Sequence, residues 1–187
     1  LAHRGACGAD PETGDGAGIL IQAPHDFFSN ECQGIGFSLP DHKDYGTGMV
    51  FMPVKSRERK ICEQTVENVV RDEGQLFLGW RDVPVSPSAI GRQAARVQPT
   101  IKQFFVAKNT QIKTRSQFEL KLYVIRKRIE NLASELSINN TEDFYICSLS
   151  IDTVVYKGLI MAEQLKDFYG DLSSQLLRTS FAMVHTR

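Results

Sequence analysis

The chain has 187 residues, is 42% hydrophobic and 24% charged, and balances 22 Lys and Arg against 22 Asp and Glu. That length and composition suit one globular domain, or one domain with an insertion, with enough apolar side chains for a sizeable core. Zero formal charge gives no general attraction for nucleic acid or an anionic membrane, and no apolar run is long enough to span a bilayer.

The first residues, Leu1-Ala2-His3-Arg4-Gly5-Ala6-Cys7-Gly8, show neither the basic nor the apolar region of a secretory signal. Gly14 to Gly18 holds too much glycine for a helix interior. Ile19 to Gln22 reads as a short buried strand, Phe27 and Phe28 as anchors of a short helix, and Gln33 to Tyr45 as loop. Gly48 to Met52 is a strand stopped by Pro53, and Ser56 is placed to cap a helix through about Asp72 with Ile61, Cys62, Val66, Val69 and Val70 on one face. Gly74 ends that helix. Gln75 to Trp80, a short helix from Pro87 to Val97, and Ile101 to Val106 continue a β-α-β-α-β alternation, which favours a sheet covered by helices. The clearest helix spans about Arg115 to Leu136, with Phe118, Leu122, Ile125, Ile129, Leu132 and Leu136 in one stripe. Phe144 to Ser150 and Thr153 to Lys157, separated by Ile151-Asp152, predict a hairpin. A short helix over Ala162 to Tyr169 and a closing strand over Phe181 to Thr186 complete the chain. An opening inside a glycine-rich motif and a close on a strand tip predict a piece of a longer polypeptide, with part of any site on other segments.

Cys7, Cys32, Cys62 and Cys147 are scattered, without C-x-x-C or Cys/His metal spacing. They predict reduced thiols in a cytosol-like compartment and no structural zinc. The glycines from Gly14 to Gly18 do not form a dinucleotide loop, because a strand follows them instead of a helix and no Gly-Lys-Ser/Thr is present. They predict a tight turn that lets backbones approach closely. His3 and Cys7 would share a face on a helix and could act as base and nucleophile. Gly5 and Gly8 argue against that helix, and a small buried thiol is the plainer reading. His25 and His42 read as isolated surface or turn residues. Arg187, at the tip of the last strand, presents a planar fork suited to a carboxylate.

Seven stretches in order resemble the class II glutamine amidotransferase domain of the glutamate synthase family. They are His3-Arg4-Gly5-Ala6 with Thr13 to Ile19 and Pro24 to Phe28; Gly48 to Pro53; Leu78 to Pro84; Leu122 to Lys127; Phe144 to Ser150; Val155 to Gly158; and Val184 to Arg187. Ile151-Asp152 departs from the family's usual polar residue and Arg.

The resemblance implies an α+β fold of the N-terminal-nucleophile hydrolase type, an incomplete αββα sandwich. Residues 1–187 would form part of one amidotransferase domain, with a β-α-β-α-β elaboration at about residues 46–110. It also implies a glutaminase. An N-terminal Cys attacks the glutamine side-chain amide, its α-amino group serves as base, ammonia leaves, and water hydrolyses the thioester. On this reading the nucleophile lies upstream of Leu1 and the oxyanion-stabilising Asn and Gly downstream of Arg187. This stretch then holds no catalytic residue and is inactive alone. Arg187 matches the arginine that grips the substrate α-carboxylate, with His3, Arg4, Gly5, Asp15 and His185 as supporting residues. An Arg4–Asp15 pair is one form of that support. The complete enzyme would use the ammonia to make glutamate from 2-oxoglutarate with FMN and an iron–sulfur cluster, and would draw electrons from ferredoxin or an NAD(P)H-oxidising subunit. Bacterial cytoplasm or plastid stroma would suit it. A small-molecule-binding regulatory α/β module, ferredoxin-like over Gly48 to Val106, is the alternative. A stand-alone hydrolase using Cys7 is a third reading.

Overall fold

A computed structural model of the chain describes residues 12–186. Its elements are β1 (Ala17–Gln22), α1 (His25–Gly34), β2 (Tyr45–Met52), α2 (Ser56–Asp72), β3 (Leu76–Asp82), α3 (Arg92–Arg96), β4 (Thr100–Ala107), α4 (Arg115–Ala133), β5 (Tyr145–Ser150), β6 (Thr153–Gly158), α5 (Leu165–Phe168) and β7 (Ala182–Thr186). Two sheets result, one of order β3-β4-β2-β5 and one of order β6-β1-β7, and every pairing is antiparallel.

The four-stranded sheet carries α2 and α4 on one face. Most of each stripe read from the sequence is buried, Cys62, Val66, Val69 and Val70 on α2 and Phe118, Leu122, Ile125 and Ile129 on α4, while Ile61 and Leu136 are half-buried and Leu132 is exposed. The buried ones pack on Val50 and Met52 of β2, Phe104 and Val106 of β4, and Ile146 and Leu149 of β5. Thr114 and Gln117 close a reciprocal capping box at the start of α4. Ser56, expected to cap α2, is instead its first residue, and no side chain caps that helix.

The alternation from β2 to β4 is real, but β4 inserts between β2 and β3. With β5 added beyond β2, and with the short α3 set aside as part of the β3–β4 connection, the order β2-α2-β3-β4-α4-β5 is the split β-α-β arrangement of ferredoxin-like folds. The stretch at residues 46–110 is therefore built into a central sheet that β5 completes from outside it. Strand β2 also begins earlier than expected, at Tyr45. Gly46 and Gly48 serve as strand residues because Leu122 and Phe104 occupy the space a Cβ would need, 2.4 Å and 2.1 Å away.

The other face of this sheet meets the three-stranded sheet. Tyr45, Met49, Ile101, Phe105 and Cys147 pack there against Ala17 and Ile21 of β1, Val154 and Tyr156 of β6, and Phe27, Phe28 and Cys32 of α1. The hairpin expected at Ile151-Asp152 does not form, since β5 joins β2 and β6 joins β1. The connection turns from one sheet into the other. Ile151 is buried in the helix-side core, and the Ser150 hydroxyl accepts from the Asp152 and Thr153 amides. A two-residue hairpin loop needs positive φ and favours Asn-Gly, which this link lacks.

Candidate functional site

Strand β1 lies between β6 and β7, and its register decides which side chains meet. Gly18 stands opposite Lys157 on one side and His185 on the other, while Leu20 stands between Val155 and Met183. Residues directly opposite share a face. Ala17, Ile21, Val154 and Tyr156 point into the common core, so the Lys157–Gly18–His185 row lies on the outer face. A cavity of about 440 Å³ forms there, lined by Asp15, Gly16, Gly18, Lys157 and His185 with apolar Leu20 and Met183. Its volume suits a small metabolite.

The glycine segment leading into β1 is the close-packed turn expected. A Cβ on Gly14 would lie 2.7 Å from the Ile160 backbone, and one on Gly18 would lie 2.9 Å from the Lys157 Cβ. Gly16 has φ +137, a value that L side chains rarely adopt. These glycines bring the segment against β6 and the residues that follow it.

Two of the expected supporting residues, Asp15 and His185, are exposed side chains on the wall of this one cavity. His3, Arg4, Gly5, Cys7 and Arg187 lie outside the described residues, and with them the Arg4–Asp15 pair. Arg187 follows Thr186, whose register partner is Ala17. Lys157 was not singled out as a site residue. Its ammonium donates to the Tyr145 hydroxyl at 2.9 Å and lies 4.3 Å from the centre of that ring. Only the β1–β6 register reveals it as Gly18's neighbour.

The thiols of Cys32, Cys62 and Cys147 are buried, and burial is the main reason each is pushed up to about 12. They are core side chains, poorly suited to attack at neutral pH. His25 and His42 are not isolated. Their rings meet at 5.5 Å, with the His25 Nδ1 3.1 Å from the Tyr45 hydroxyl. Burial, then Lys43 and His25, holds His42 below its ordinary value. This cluster sits where β1 ends and β2 begins, at the end of the sandwich opposite the cavity. Among the described residues no helix is long and apolar enough to cross a membrane.

Two stacked antiparallel sheets with helices on one outer face make this an α+β protein. Residues 1–187 match the family model of class II glutamine amidotransferases, and the chain belongs to that family. It is 46% identical over its whole length to the glutamate synthase [NADPH] large chain of Bacillus subtilis (strain 168), covering 12% of that relative. It is 42% identical over 99% of its length to the glutamate synthase [NADPH] large chain of Azospirillum brasilense, again 12% of that relative. It is 38% identical over its whole length to the chloroplastic ferredoxin-dependent glutamate synthase of Oryza sativa subsp. japonica, or 11% of that relative. The chain thus spans about an eighth of the length of the curated relatives it matches.

Proposed function

We propose that this chain is part of the glutaminase domain of a glutamate synthase. It would help convert glutamine to glutamate and ammonia, and the ammonia would serve to make glutamate from 2-oxoglutarate. The observation that carries this reading is the β6-β1-β7 register, which puts Asp15, the glycine turn and His185 on one cavity of about 440 Å³, with Arg187 two residues beyond His185 in the sequence. The nucleophile would be an N-terminal Cys upstream of Leu1. Its thiolate adds to the side-chain amide carbon while the α-amino group takes the thiol proton and returns it to the departing ammonia. Water then cleaves the glutamyl thioester. Backbone and Asn donors downstream of Arg187 would stabilise the oxyanion.

Within this chain, Arg187 would bind the substrate α-carboxylate as a planar fork. Asp15 and His185 would shape the cavity mouth. A second helical layer from the rest of the polypeptide would roof the exposed outer face of the three-stranded sheet, closing over the cavity that Leu20, Val155 and Met183 help to wall, and so complete an αββα sandwich. FMN and an iron–sulfur cluster would belong to other parts of the synthase. Among the described residues no group of three His, Cys, Asp or Glu is placed to hold a metal ion. Glutamine, the remaining synthase domains, and ferredoxin or an NAD(P)H-oxidising subunit would be the partners, in bacterial cytoplasm or plastid stroma.

The test compares glutamine hydrolysis by the full-length polypeptide, its Arg187→Ala variant and the 187-residue chain alone. The full-length protein should be active. Arg187→Ala should raise KM for glutamine by about tenfold or more, as expected when a charged hydrogen bond to substrate is lost. The isolated chain should release no ammonia above background. An Arg187→Ala variant with unchanged KM sinks the role of Arg187, and activity in the isolated chain sinks the placement of the nucleophile.

The ferredoxin-like order of β2 to β5 favours the regulatory alternative in topology alone. The face such a module would offer to a ligand is buried here against β1, β6 and α1. Saturable binding of a small molecule without turnover would support that alternative.

A further inference from the structure

We infer that Arg81 is a positioning residue for the glutamine site, acting through a buried hydrogen-bond lock between the two sheets; the inference rests on the amidotransferase reading above. Arg81 lies in Leu78 to Pro84, a stretch that carries the family resemblance but has no role so far. Its side chain is 3% exposed. All five of its N–H donors are used. Nε and Nη2 donate to Glu31 Oε2 at 3.2 Å and 2.6 Å. Nη1 donates to Gln103 Oε1 at 2.9 Å and to Asp171 Oδ2 at 2.8 Å, and Nη2 donates to Asp171 Oδ1 at 2.8 Å. The pairing with Asp171 is a buried fork-to-fork contact. The Tyr156 hydroxyl donates to the same Asp171 Oδ2 at 2.9 Å, and the Gln103 amide donates to that hydroxyl at 3.4 Å. The guanidinium also lies 5.2 Å from the centre of the Phe27 ring.

One planar group therefore ties β3 and β4 of one sheet to β6 of the other, to α1, and to the short turn Gly170–Ser173 that carries Asp171. The lock reaches the cavity in two ways. Tyr156 sits between Val155 and Lys157, both of which line it. Tyr169, edge-on to Tyr156 at 5.1 Å, donates its hydroxyl to the Lys157 carbonyl at 2.7 Å. Strand β6 in turn fixes β1, since Tyr156 pairs with Ile19 and Lys157 with Gly18. Stability alone is a weak reason to bury such a pair, because apolar residues of similar volume often replace one without loss. A saturated fork differs from an apolar contact in direction: it allows one separation and one tilt of the sheets. Displacing a substrate-positioning wall by about 1 Å is enough to change turnover strongly.

The test uses the full-length polypeptide and separates positioning from folding. Arg81→Met/Asp171→Leu replaces the pair with apolar side chains. It should keep a thermal midpoint near that of the parent while KM for glutamine rises about tenfold and kcat changes by less than about threefold. Tyr156→Phe removes only the hydroxyl and should raise KM by about threefold with the fold intact. A stable double variant with parental KM overturns the inference. If the double variant does not fold, Tyr156→Phe decides, and an unchanged KM overturns it equally. A parent polypeptide that fails to hydrolyse glutamine defeats the amidotransferase reading and this inference together, a result distinct from an active parent indifferent to the lock.

Discussion

The two sheets of this chain are built from similar residues and meet their surroundings differently. The four-stranded sheet is covered on both faces. Val50, Val66, Phe104, Leu122 and Ile125 on its helix side have no exposed surface at all. The three-stranded sheet is covered on one face only. Phe181 and Met183 are 48% and 67% exposed beside and along β7. An apolar strand left open is the usual sign of a surface that meets something else. The first sheet, with α2 and α4, is a finished core, while the second keeps one face open, and the cavity lies on that face. The candidate chemistry lies on the open side.

The contrast can be broken by substitution. Leu122→Ala should destabilise the chain most, by about 2–5 kcal/mol in urea unfolding, since a fully buried leucine leaves a cavity over Gly46. Gly48→Ala should follow at about 3 kcal/mol, because its Cβ would stand 2.1 Å from the ring of Phe104, which is fully buried and has no room to retreat. Gly18→Ala, on the open sheet, should cost about 1–2 kcal/mol, since the Lys157 Cβ at 2.9 Å moves only with the β6 backbone, which has an open face to give toward. A Gly18→Ala loss equal to that of Gly48→Ala would erase the distinction between the two sheets.

Glu73 sharpens the same comparison through pH. Hydrogen bonds from Lys121 at 2.8 Å and Arg128 at 2.6 Å tie the end of α2 to α4 and hold the Glu73 carboxyl below its ordinary value. A carboxyl depressed on folding contributes stability above its unfolded value of about 4.3, and that contribution is lost as pH falls through the folded value. Glu73→Gln should therefore weaken the chain by less than about 1 kcal/mol near neutrality and match the parent in strong acid, as comparative melts across pH would show. Met183→Ser should have the smallest effect, within about 0.5 kcal/mol in the isolated chain. A larger loss for the same change in the full-length polypeptide would show that the open face is covered there.

Much of the fold was legible because its signals are local. The stripes of α2 and α4 repeat at helical spacing, and each is the face that the structure buries, except for Leu132 at the end of α4. The glycine turn before β1 was legible from the strand that follows it. The errors fell where a distant partner overrode a local signal. Ile151-Asp152 looked like a hairpin turn until Ile151 found the helix-side core. Tyr45 looked like loop and Gly46 lay outside the predicted strand, yet both belong to β2, where Leu122 fills the space above Gly46. His25 and His42 looked unrelated until the turn before β2 brought their rings together. Arg81 carried no signal of its own within Leu78 to Pro84, since its partners Glu31, Gln103 and Asp171 come from three other elements.

By itself the sequence determined the family, through short motifs kept in order, and most of the helices and strands, through spacings that a few neighbouring residues define. Only the tertiary structure decided that β4 enters between β2 and β3, that β5 and β6 part into different sheets, and that Lys157, Gly18 and His185 form one row. The reason is physical: the period of a strand is written within its own few residues, whereas its register and neighbours are set by whichever distant apolar face it buries.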